Sequence, residues 1–421
     1  MTDAKTPMSC SLRHRLVVVG GIGKLHLVQA ARELKRYSPE TEIVLATSWI
    51  PSNSAITFLN AIGLRGITKR LAVRREVASE VDVAMGFLFP ELVYHALRRF
   101  IGAEPALALG FRAFGRRAAR RLAPLLDKDT VVYIRSGAGN GLIKAARHAQ
   151  ARVCVDHSIA HPRSFRKYLA RVEAFLSKSD LNPDGSLWKQ VLQDCEEADT
   201  LIVNSDFVQQ TFVENTYDEQ KIEVVYLGVP EAFFQIVRPE RQDREGFYLL
   251  FVGHFDARKG ADLIIEMMKG IAELDPAIRL HIAGNISESG QAILDDLGTP
   301  PNIVFHGLVG FEKLKDLLSS AGAFVFPSYL EGSARAVSEA MAAGLPVITT
   351  PQSGAPIANG VTGVLLEADD PTGWIEAVLN LREDPEVAAR ISEAARAAIR
   401  EISGPSYPSN LFCALNPKAL Q

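Results

Sequence analysis

Cysteine is scarce in this chain of 421 residues, and the four that occur are scattered: Cys10, Cys154, Cys195 and Cys413. Scattered thiols argue against a disulfide framework or a thiolate zinc site, and they predict a reducing compartment, the cytosol. No apolar run approaches the ~18 residues of a membrane span, and the first fifteen residues lack the apolar core of a leader peptide. A formal net charge of -3 gives no surplus of positive charge, so nucleic acid is not an expected partner.

What the chain has in abundance is short apolar runs separated by helical patterns, which predict an α/β fold with parallel sheets covered on both faces. The runs are 16–21, 42–48, 130–136, 151–158, 199–205, 222–228, 247–254, 278–285, 302–307, 323–328, 345–350 and 363–367. A polar stretch at 235–246 interrupts them and predicts two Rossmann-like domains, 1–238 and 239–402. Residues 403–421 contain prolines and polar residues, and we expect an atypical or disordered tail there.

One segment, 327–347, carries most of the functional information. A buried strand precedes it, and two carboxylates, Glu331 and Glu339, stand eight positions apart around the start of a helix that ends near Gly344. Three small residues in between, Gly332, Ser333 and Ala334, allow backbone N–H groups at the helix start to approach a phosphate. The segment therefore favours a ligand with phosphate and hydroxyl groups. In the alternative reading both glutamates are solvated surface acids.

The same segment resembles the signature of glycosyltransferase family 4, whose members are retaining enzymes of the GT-B fold. The matching residues are Pro327, Ser328, Glu331, Gly332, Glu339, Ala340, Met341, Ala342, Gly344, Pro346, Val347 and Ile348. The resemblance implies that Glu331 contacts the transferred sugar and Glu339 the ribose hydroxyls of a nucleotide. The chain departs from the commonest family pattern at residues 333–335, Ser-Ala-Arg. Two facing domains are implied, the first for the acceptor and the second for the nucleotide-sugar donor.

A basic pair, Arg258 and Lys259, lies in the predicted loop between strand 247–254 and the next helix. Fixed positive charge there can neutralise the diphosphate that leaves when a glycosidic bond breaks. Lys259 matches the family's lysine, whereas His254 occupies the usual arginine position, and Arg258 is the candidate replacement. In the alternative reading this is a solvated basic turn.

The resemblance also assigns residues outside these two segments. It places Gly20 and Gly21 beneath the donor phosphates, His157 near the reacting carbon, and the backbone of Leu308 and Val309 near the nucleotide base. On local sequence alone His157 is equally well explained as a residue that fills a strand end. No metal site is predicted, and the implied reaction needs no cofactor besides the nucleotide sugar.

A basic region, 65–121, sets the first half of the chain apart. Its cations are Arg65, Lys69, Arg70, Arg74, Arg75, Arg98, Arg99, Arg112, Arg116, Arg117, Arg120 and Arg121, and apolar residues such as Phe100 and Leu109 are interleaved with them. A basic amphipathic surface of this kind can rest on anionic lipid at the cytoplasmic membrane face. A solvated helix face that covers the core explains the same pattern.

The sequence therefore predicts a metal-independent, retaining hexosyltransferase that acts on a glycan, lipid-linked or small-molecule acceptor in glycan, exopolysaccharide or glycolipid synthesis. Two alternatives stay open. With His254 and Ser333 in place of the family residues, the chain can instead be a catalytically weak nucleotide-sugar-binding or scaffold protein of the same fold. A sugar-nucleotide epimerase or a phosphorylase is the rival enzyme, although the glutamate signature disfavours both.

Overall fold

A computed structural model describes residues 15–23, 26–61, 65–177, 182–238 and 247–416. It contains two parallel sheets, which confirm the predicted α/β fold with two Rossmann-like domains. The predicted boundary near residue 240 falls at 239–246, outside the described residues, as does Cys10.

The sheet of the first domain has seven parallel strands among the described residues, in the order β3-β2-β1-β4-β5-β6-β7. They are β1 (Arg15–Gly21), β2 (Glu42–Ser48), β3 (Val83–Phe87), β4 (Thr130–Arg135), β5 (Arg152–His157), β6 (Thr200–Val203) and β7 (Ile222–Val224). Helices cover both faces: α1 (His26–Tyr37), α2 (Asn53–Ala61), α3 (Arg65–Glu80), α4 (Leu88–Ile101), α5 (Ala103–Leu122), α6 (Leu142–His148), α7 (Phe165–Leu169), α8 (Ser186–Glu196), α9 (Asp206–Val213) and α10 (Glu231–Phe234).

The sheet of the second domain has six parallel strands in the described part of the chain, ordered β10-β9-β8-β11-β12-β13. They are β8 (Tyr248–Val252), β9 (Arg279–Ala283), β10 (Ile303–Gly307), β11 (Ala323–Phe326), β12 (Val347–Thr349) and β13 (Val364–Leu365). The helices in this part of the chain are α11 (Ala261–Leu274), α12 (Glu288–Leu297), α13 (Phe311–Ser320), α14 (Arg335–Ala342), α15 (Pro371–Glu383), α16 (Pro385–Glu401) and α17 (Ser406–Leu415). Strands β8, β11 and β12 are largely buried on both faces, as continuous apolar runs predict, whereas β10 and β13 are mostly only partly buried.

Strand β3 was absent from the predicted strands. It pairs with β2 at the edge of the first sheet, from Val44 beside Val83 to Ser48 beside Phe87. None of its residues is fully buried. Because an edge strand needs only partial burial, its apolar signal is weak.

The tail prediction is wrong over residues 406–415, which form helix α17. This helix packs against α1 of the first domain, and its Leu411, Phe412 and Leu415 are buried there. The hydroxyls of Tyr37 and Ser409 lie 3.1 Å apart across the contact. The chain thus crosses back from the second domain and completes the core of the first.

Candidate active site

Two loops at the carboxyl ends of β8 and β11 bring opposite charges into contact. The loop after β8 contains a short 3₁₀ helix with Arg258 and Lys259, and the loop after β11 contains Glu331. Arg258 Nη1 donates a hydrogen bond to Glu331 Oε1 at 2.6 Å, and Lys259 Nζ lies 3.3 Å from the same oxygen. The side chains of Lys259 and Glu331 are each only 16% exposed, so this charge cluster is screened less than a surface ion pair.

The conformation of these loops depends on residues with no bulky side chain. Asp256 begins the turn, and its carboxylate accepts a hydrogen bond from the Lys259 amide at 2.9 Å. Gly260 then adopts a φ of +76°, and a Cβ atom at this position would lie 2.1 Å from the Pro327 carbonyl oxygen. A glycine is therefore required for the loop after β8 to pack against the loop after β11.

A second glycine allows the two domains to meet. The Gly332 carbonyl accepts a hydrogen bond from Ser205 Oγ of the first domain. A Cβ atom on Gly332 would lie 2.0 Å from the Ser158 carbonyl oxygen. Further along the interface, Arg171 Nε of the first domain donates to Asp262 Oδ2 of the second at 3.0 Å. These contacts hold the loop that carries Glu331 against the end of β5.

A cavity of about 370 Å³ lies where these elements converge. Predicted site residues from both domains line it: His157, Arg258, Glu331 and Gly332. The His157 side chain is almost fully buried, and its Nδ1 lies 3.0 Å from Ser136 Oγ. The remaining walls are Leu107, Phe111, Arg135, Ser136, Asp156, Ser158, Ile159, Leu187, Trp188 and Val191. Lys259 does not line the cavity but contacts Glu331, so five of the predicted residues form one cluster.

Glu339 lies within α14 and is not a lining residue of this cavity. Its carboxylate is 3.5 Å from Arg335 Nη2, and burial raises the pKa of Glu339. Ser333 is partly buried in the turn before the helix. The amide of Ala334 donates to the Ser353 carbonyl at 2.8 Å, so this N–H group is already engaged within the domain.

The two predicted backbone sites at strand ends also lie outside the cavity lining. Gly20 and Gly21 are buried at the end of β1, and a Cβ atom on Gly21 would meet the ring of Phe111 at 2.7 Å. Phe111 itself lines the cavity, so the glycine turn packs behind its wall. At the end of β10, Leu308 is 75% exposed and Val309 is partly buried.

Helix α8 carries a buried acid beside the cavity that the sequence motifs do not indicate. The carboxylate of Asp194 is buried, and its Oδ2 accepts hydrogen bonds from the amides of Gly137 at 2.7 Å and Gly139 at 2.8 Å. Burial raises the pKa of Asp194 to about 7. The loop it holds also carries Ser136, the partner of His157. Acidic residues in helices are usually exposed to solvent, so the local sequence around Asp194 does not indicate this contact.

Asp156, the other acid of the cavity wall, was also missed as a functional residue. Burial alone would raise the pKa of Asp156, but His26 and a hydrogen bond from Tyr133 outweigh it and hold this pKa below its usual value. His26 Nε2 lies 2.7 Å from one carboxylate oxygen, and the Tyr133 hydroxyl donates to the other at 2.8 Å. The first domain thus contributes to the cavity wall a carboxylate that is held by two hydrogen-bonding partners.

The basic region 65–121 is divided between core and surface. Arg74 is buried and bonded to Glu91, so it does not belong to a surface patch. The exposed arginines are Arg98, Arg99, Arg112, Arg116, Arg120 and Arg121, and Arg117 lies over the ring of Phe89. The side chains of Arg65, Lys69 and Arg70 lie outside what the structure describes. Phe111, Phe114 and Leu122 face the core.

Among the described residues, no helix has the length and apolar character that crossing a bilayer requires. Within the same residues, no group of three or more His, Cys, Asp or Glu side chains is arranged so that it could hold a metal ion.

Comparison with solved structures identifies the fold as GT-B. HepE of Anabaena in complex with UDP and glucose aligns with a TM-score of 0.59 at 14% identity, over 95% of this chain and 98% of that one. The lipopolysaccharide outer core galactosyltransferase WaaB in its apo form aligns with a TM-score of 0.63 at 16% identity, over 96% and 99% of the two chains.

At the level of sequence, the chain is similar to glycosyltransferases. Residues 233–398 match the family described as Glycosyl transferases group 1. D-inositol 3-phosphate glycosyltransferase of Mycobacterium avium (strain 104) is 31% identical over 222 residues, which is 48% of this chain and 51% of that protein. The chain spans about half the length of the curated relatives it matches. It therefore has the fold and, over its second domain, the sequence pattern of glycosyltransferases.

Proposed function

We propose that this protein is a retaining glycosyltransferase of family 4, which transfers a hexose from a nucleoside diphosphate sugar to a hydroxyl acceptor. The observation that carries the proposal is the contact of Glu331 with both Arg258 and Lys259 beside a cavity between the two domains. The cluster combines an acceptor of sugar hydroxyl hydrogen bonds with two cations for a diphosphate. An ion pair with a purely structural role would not need a cavity beside it.

In the proposed reaction the donor sugar lies against Glu331 and His157. The donor diphosphate binds the cationic side chains of Arg258 and Lys259. The bond between the anomeric carbon and the diphosphate oxygen breaks, and both electrons leave with the nucleoside diphosphate. The acceptor hydroxyl forms its new bond on the same face of the sugar, and its proton passes to the departing oxygen. The protein contributes position and positive charge, both of which lower the barrier in a water-poor cavity.

We further propose that the reaction needs no metal ion, because Arg258 and Lys259 provide the charge that a divalent cation supplies to a leaving diphosphate elsewhere. Turnover should be unchanged in excess EDTA. A loss of turnover that Mg²⁺ or Mn²⁺ restores would contradict this part of the proposal.

The test of the main proposal is the slow release of nucleoside diphosphate from donors in the absence of acceptor. A panel of nucleotide sugars is first ranked by thermal shift, since a ligand at 100 times its Kd adds about 2.7 kcal/mol to the free energy of unfolding. The best donors are then incubated with enzyme, and product is followed by chromatography. Stabilisation by a nucleotide sugar without any hydrolysis would instead support the scaffold alternative.

A membrane surface is the proposed location of the acceptor, on the evidence of helix α4. Four residues of its outward face are large, apolar and exposed: Leu88, Phe89, Leu92 and Phe100, the last at 83%. Arg98 and Arg99 flank them, so insertion of the aromatic rings and attraction to anionic lipid would act together. In glycan, exopolysaccharide or glycolipid synthesis, this face would bring the cleft to a lipid-linked substrate.

Liposome sedimentation tests this location. We expect binding to vesicles that contain anionic phosphatidylglycerol at low salt, weaker binding at high salt, and a further loss in Phe100→Ser. Val237→Ser, at an 82% exposed apolar residue outside this face, is the control. Absence of binding to anionic vesicles at low salt would remove the membrane proposal and leave the transferase proposal intact.

A further inference from the structure

A second cavity, of about 690 Å³, lies between the domains beside the charged cluster. Its walls are largely apolar: Phe165, Leu169, Leu176, Leu187, Trp188 and Leu330. The two motif segments do not predict it, because five of these six residues come from α7, α8 and the segment between them, and only Leu330 belongs to segment 327–347. We call this cavity the apolar cleft.

The apolar cleft adjoins the polar cavity. Ile159, Leu187, Trp188 and Arg258 line both, so the two spaces share a wall and the same guanidinium group. A molecule in the apolar cleft can therefore contact Arg258, whose guanidinium also donates to Glu331 in the polar cavity. Neither space is an isolated packing defect.

Packing and hydrogen bonds hold the walls in place. Phe165 and Leu169 are almost fully buried, and the ring of Phe165 meets the ring of Trp188 edge-on with centroids 5.2 Å apart. At the start of α8, Glu104 accepts hydrogen bonds from the Leu187 amide and from Ser186 Oγ. Glu104 thereby joins the start of α5 to the start of α8, which fixes the width of the apolar cleft.

The apolar cleft reaches the end of α4. Residues 101–105, which run from the last residue of α4 to the start of α5, belong to its lining. Ile101 is 43% exposed, and the neighbouring Phe100 is 83% exposed. The apolar cleft therefore lies next to the exposed apolar residues of α4.

We propose that the apolar cleft binds the apolar segment of an amphiphilic acceptor, whose hydroxyl-bearing head lies in the polar cavity beside Arg258 and Glu331. This proposal rests on the proposed transferase function and adds the chemical class of the acceptor. A free polyol or sugar would leave the walls around Trp188 and Leu176 in contact with water. An alkyl, prenyl or aryl group would displace that water with a gain in free energy that grows with the apolar area covered.

A series of alkyl β-glucosides tests the proposal, with methyl, butyl, hexyl and octyl chains used below their micelle concentrations. Binding to the full protein is measured by isothermal titration calorimetry without donor. We expect Kd to fall with each added CH₂ group, by up to about fourfold for each one that is fully buried. A Kd that does not change with chain length would overturn the proposal.

A matched pair of leucine variants shows where the chain binds. Leu176 lines only the apolar cleft of the two cavities, whereas Leu274 is 66% exposed at the end of α11 in the second domain. Leu176→Gln should weaken octyl glucoside binding by about tenfold and leave methyl glucoside unchanged. Leu274→Gln should change neither. Thermal unfolding of both variants confirms that they fold, and an equal chain-length dependence in Leu176→Gln would overturn the assignment to this cleft.

Failure of this proposal is distinguishable from failure of the transferase proposal. If nucleotide sugars are hydrolysed but chain length has no effect on glucoside binding, the transferase proposal stands and the acceptor class is wrong. If chain length controls binding but no donor is hydrolysed, the apolar cleft binds amphiphiles in a protein that is not a transferase.

Discussion

The two sides of the active-site cavity are built by different means. On the side of the second domain, loops approach so closely that Gly260, Gly332 and Gly354 have no room for a Cβ atom. On the side of the first domain, the walls are side chains that project from helices, such as Phe111 of α5 and Trp188 of α8. One side depends on backbone shape and the other on side-chain size.

This difference explains why the two halves of the chain are not equally recognisable. A backbone-built site restricts each position to one or two residue types, and the family match at 233–398 covers this side only. A wall of side chains tolerates many apolar substitutions of similar volume. The proposed donor side thus carries recognisable sequence motifs, whereas the proposed acceptor side depends on packing that local sequence does not reveal.

The largest effect should follow from the loss of positive charge on the second-domain side. Lys259→Ala removes the amine beside Glu331, and we expect donor turnover to fall by about 10² to 10³-fold because the leaving diphosphate is less stabilised. Steady-state release of nucleoside diphosphate measures it. Lys315→Ala, at an exposed lysine of α13, is the control. Turnover in Lys259→Ala within twofold of wild type would defeat the assignment.

The backbone argument is tested by a pair of glycine variants. Gly260→Ala forces a Cβ atom against the Pro327 carbonyl at a positive φ, and should lower the free energy of unfolding by about 3 kcal/mol. Gly310→Ala, at the N-cap of α13, where φ is -76° and a Cβ atom meets nothing within 4 Å, should lower it by at most about 1 kcal/mol, the usual cost of alanine at an N-cap. Chemical denaturation gives both values. Equal stability of the two variants would show that the loops do not require glycine.

On the first-domain side, Asp194 predicts a pH dependence. Its folded pKa of about 7 lies above the ordinary value, so the folded state binds more protons than the unfolded state between about pH 4 and pH 7. The stabilising contribution is complete below this window and is lost as the pH rises through 7. Between pH 4 and pH 8, the free energy of unfolding of wild type should therefore fall by on the order of 1–4 kcal/mol relative to that of Asp194→Asn.

Denaturant titrations at pH 4, 5, 6, 7 and 8 provide the measurement, with Asp296→Asn at an exposed acid of α12 as the control. Wild type and Asp194→Asn curves that run parallel over this range would mean that the carboxylate is ionised throughout in the folded protein.

The smallest effect concerns an exposed ion pair in α14 of the second domain. Arg335 is 57% exposed and pairs with Glu339, so Arg335→Ala should lower the free energy of unfolding by less than about 0.5 kcal/mol. Burial raises the pKa of Glu339 and Arg335 opposes that rise. In Arg335→Ala the affinity for the nucleoside diphosphate of the best donor should therefore begin to fall at a higher pH than in wild type as the solution is acidified. Glu339→Gln should abolish this shift, and an unchanged pH profile would argue against contact of Glu339 with the nucleotide.

The sequence predicted the parallel sheets well, because runs such as 16–21 and 323–328 are apolar on both faces, as the buried strands β1 and β11 require. It failed at α17, where Pro405 and Pro408 suggested an irregular tail. Proline is tolerated in the first turn of a helix, because N–H groups there have no partner within the helix. Both prolines lie at that end of α17.

The active site was predictable to the extent that it depends on topology. Strands β8 and β11 are neighbours in a parallel sheet, so the loops at their carboxyl ends, with Lys259 and Glu331, had to lie together. The role of Asp194 was not predictable, because its partners are backbone amides 55 and 57 positions away. Contacts at such separation depend on how helices pack, and no short motif encodes them.

Because α17 packs against the first domain, that domain cannot complete its folding before the second domain has been synthesised. Domains usually fold as they emerge from the ribosome, the first one before the second. Here Leu411, Phe412 and Leu415 belong to the core of the first domain, so that core stays incomplete until the second domain has been translated. During the synthesis of β8 to α16, each nascent chain therefore exposes hydrophobic surface on α1 through which it could aggregate.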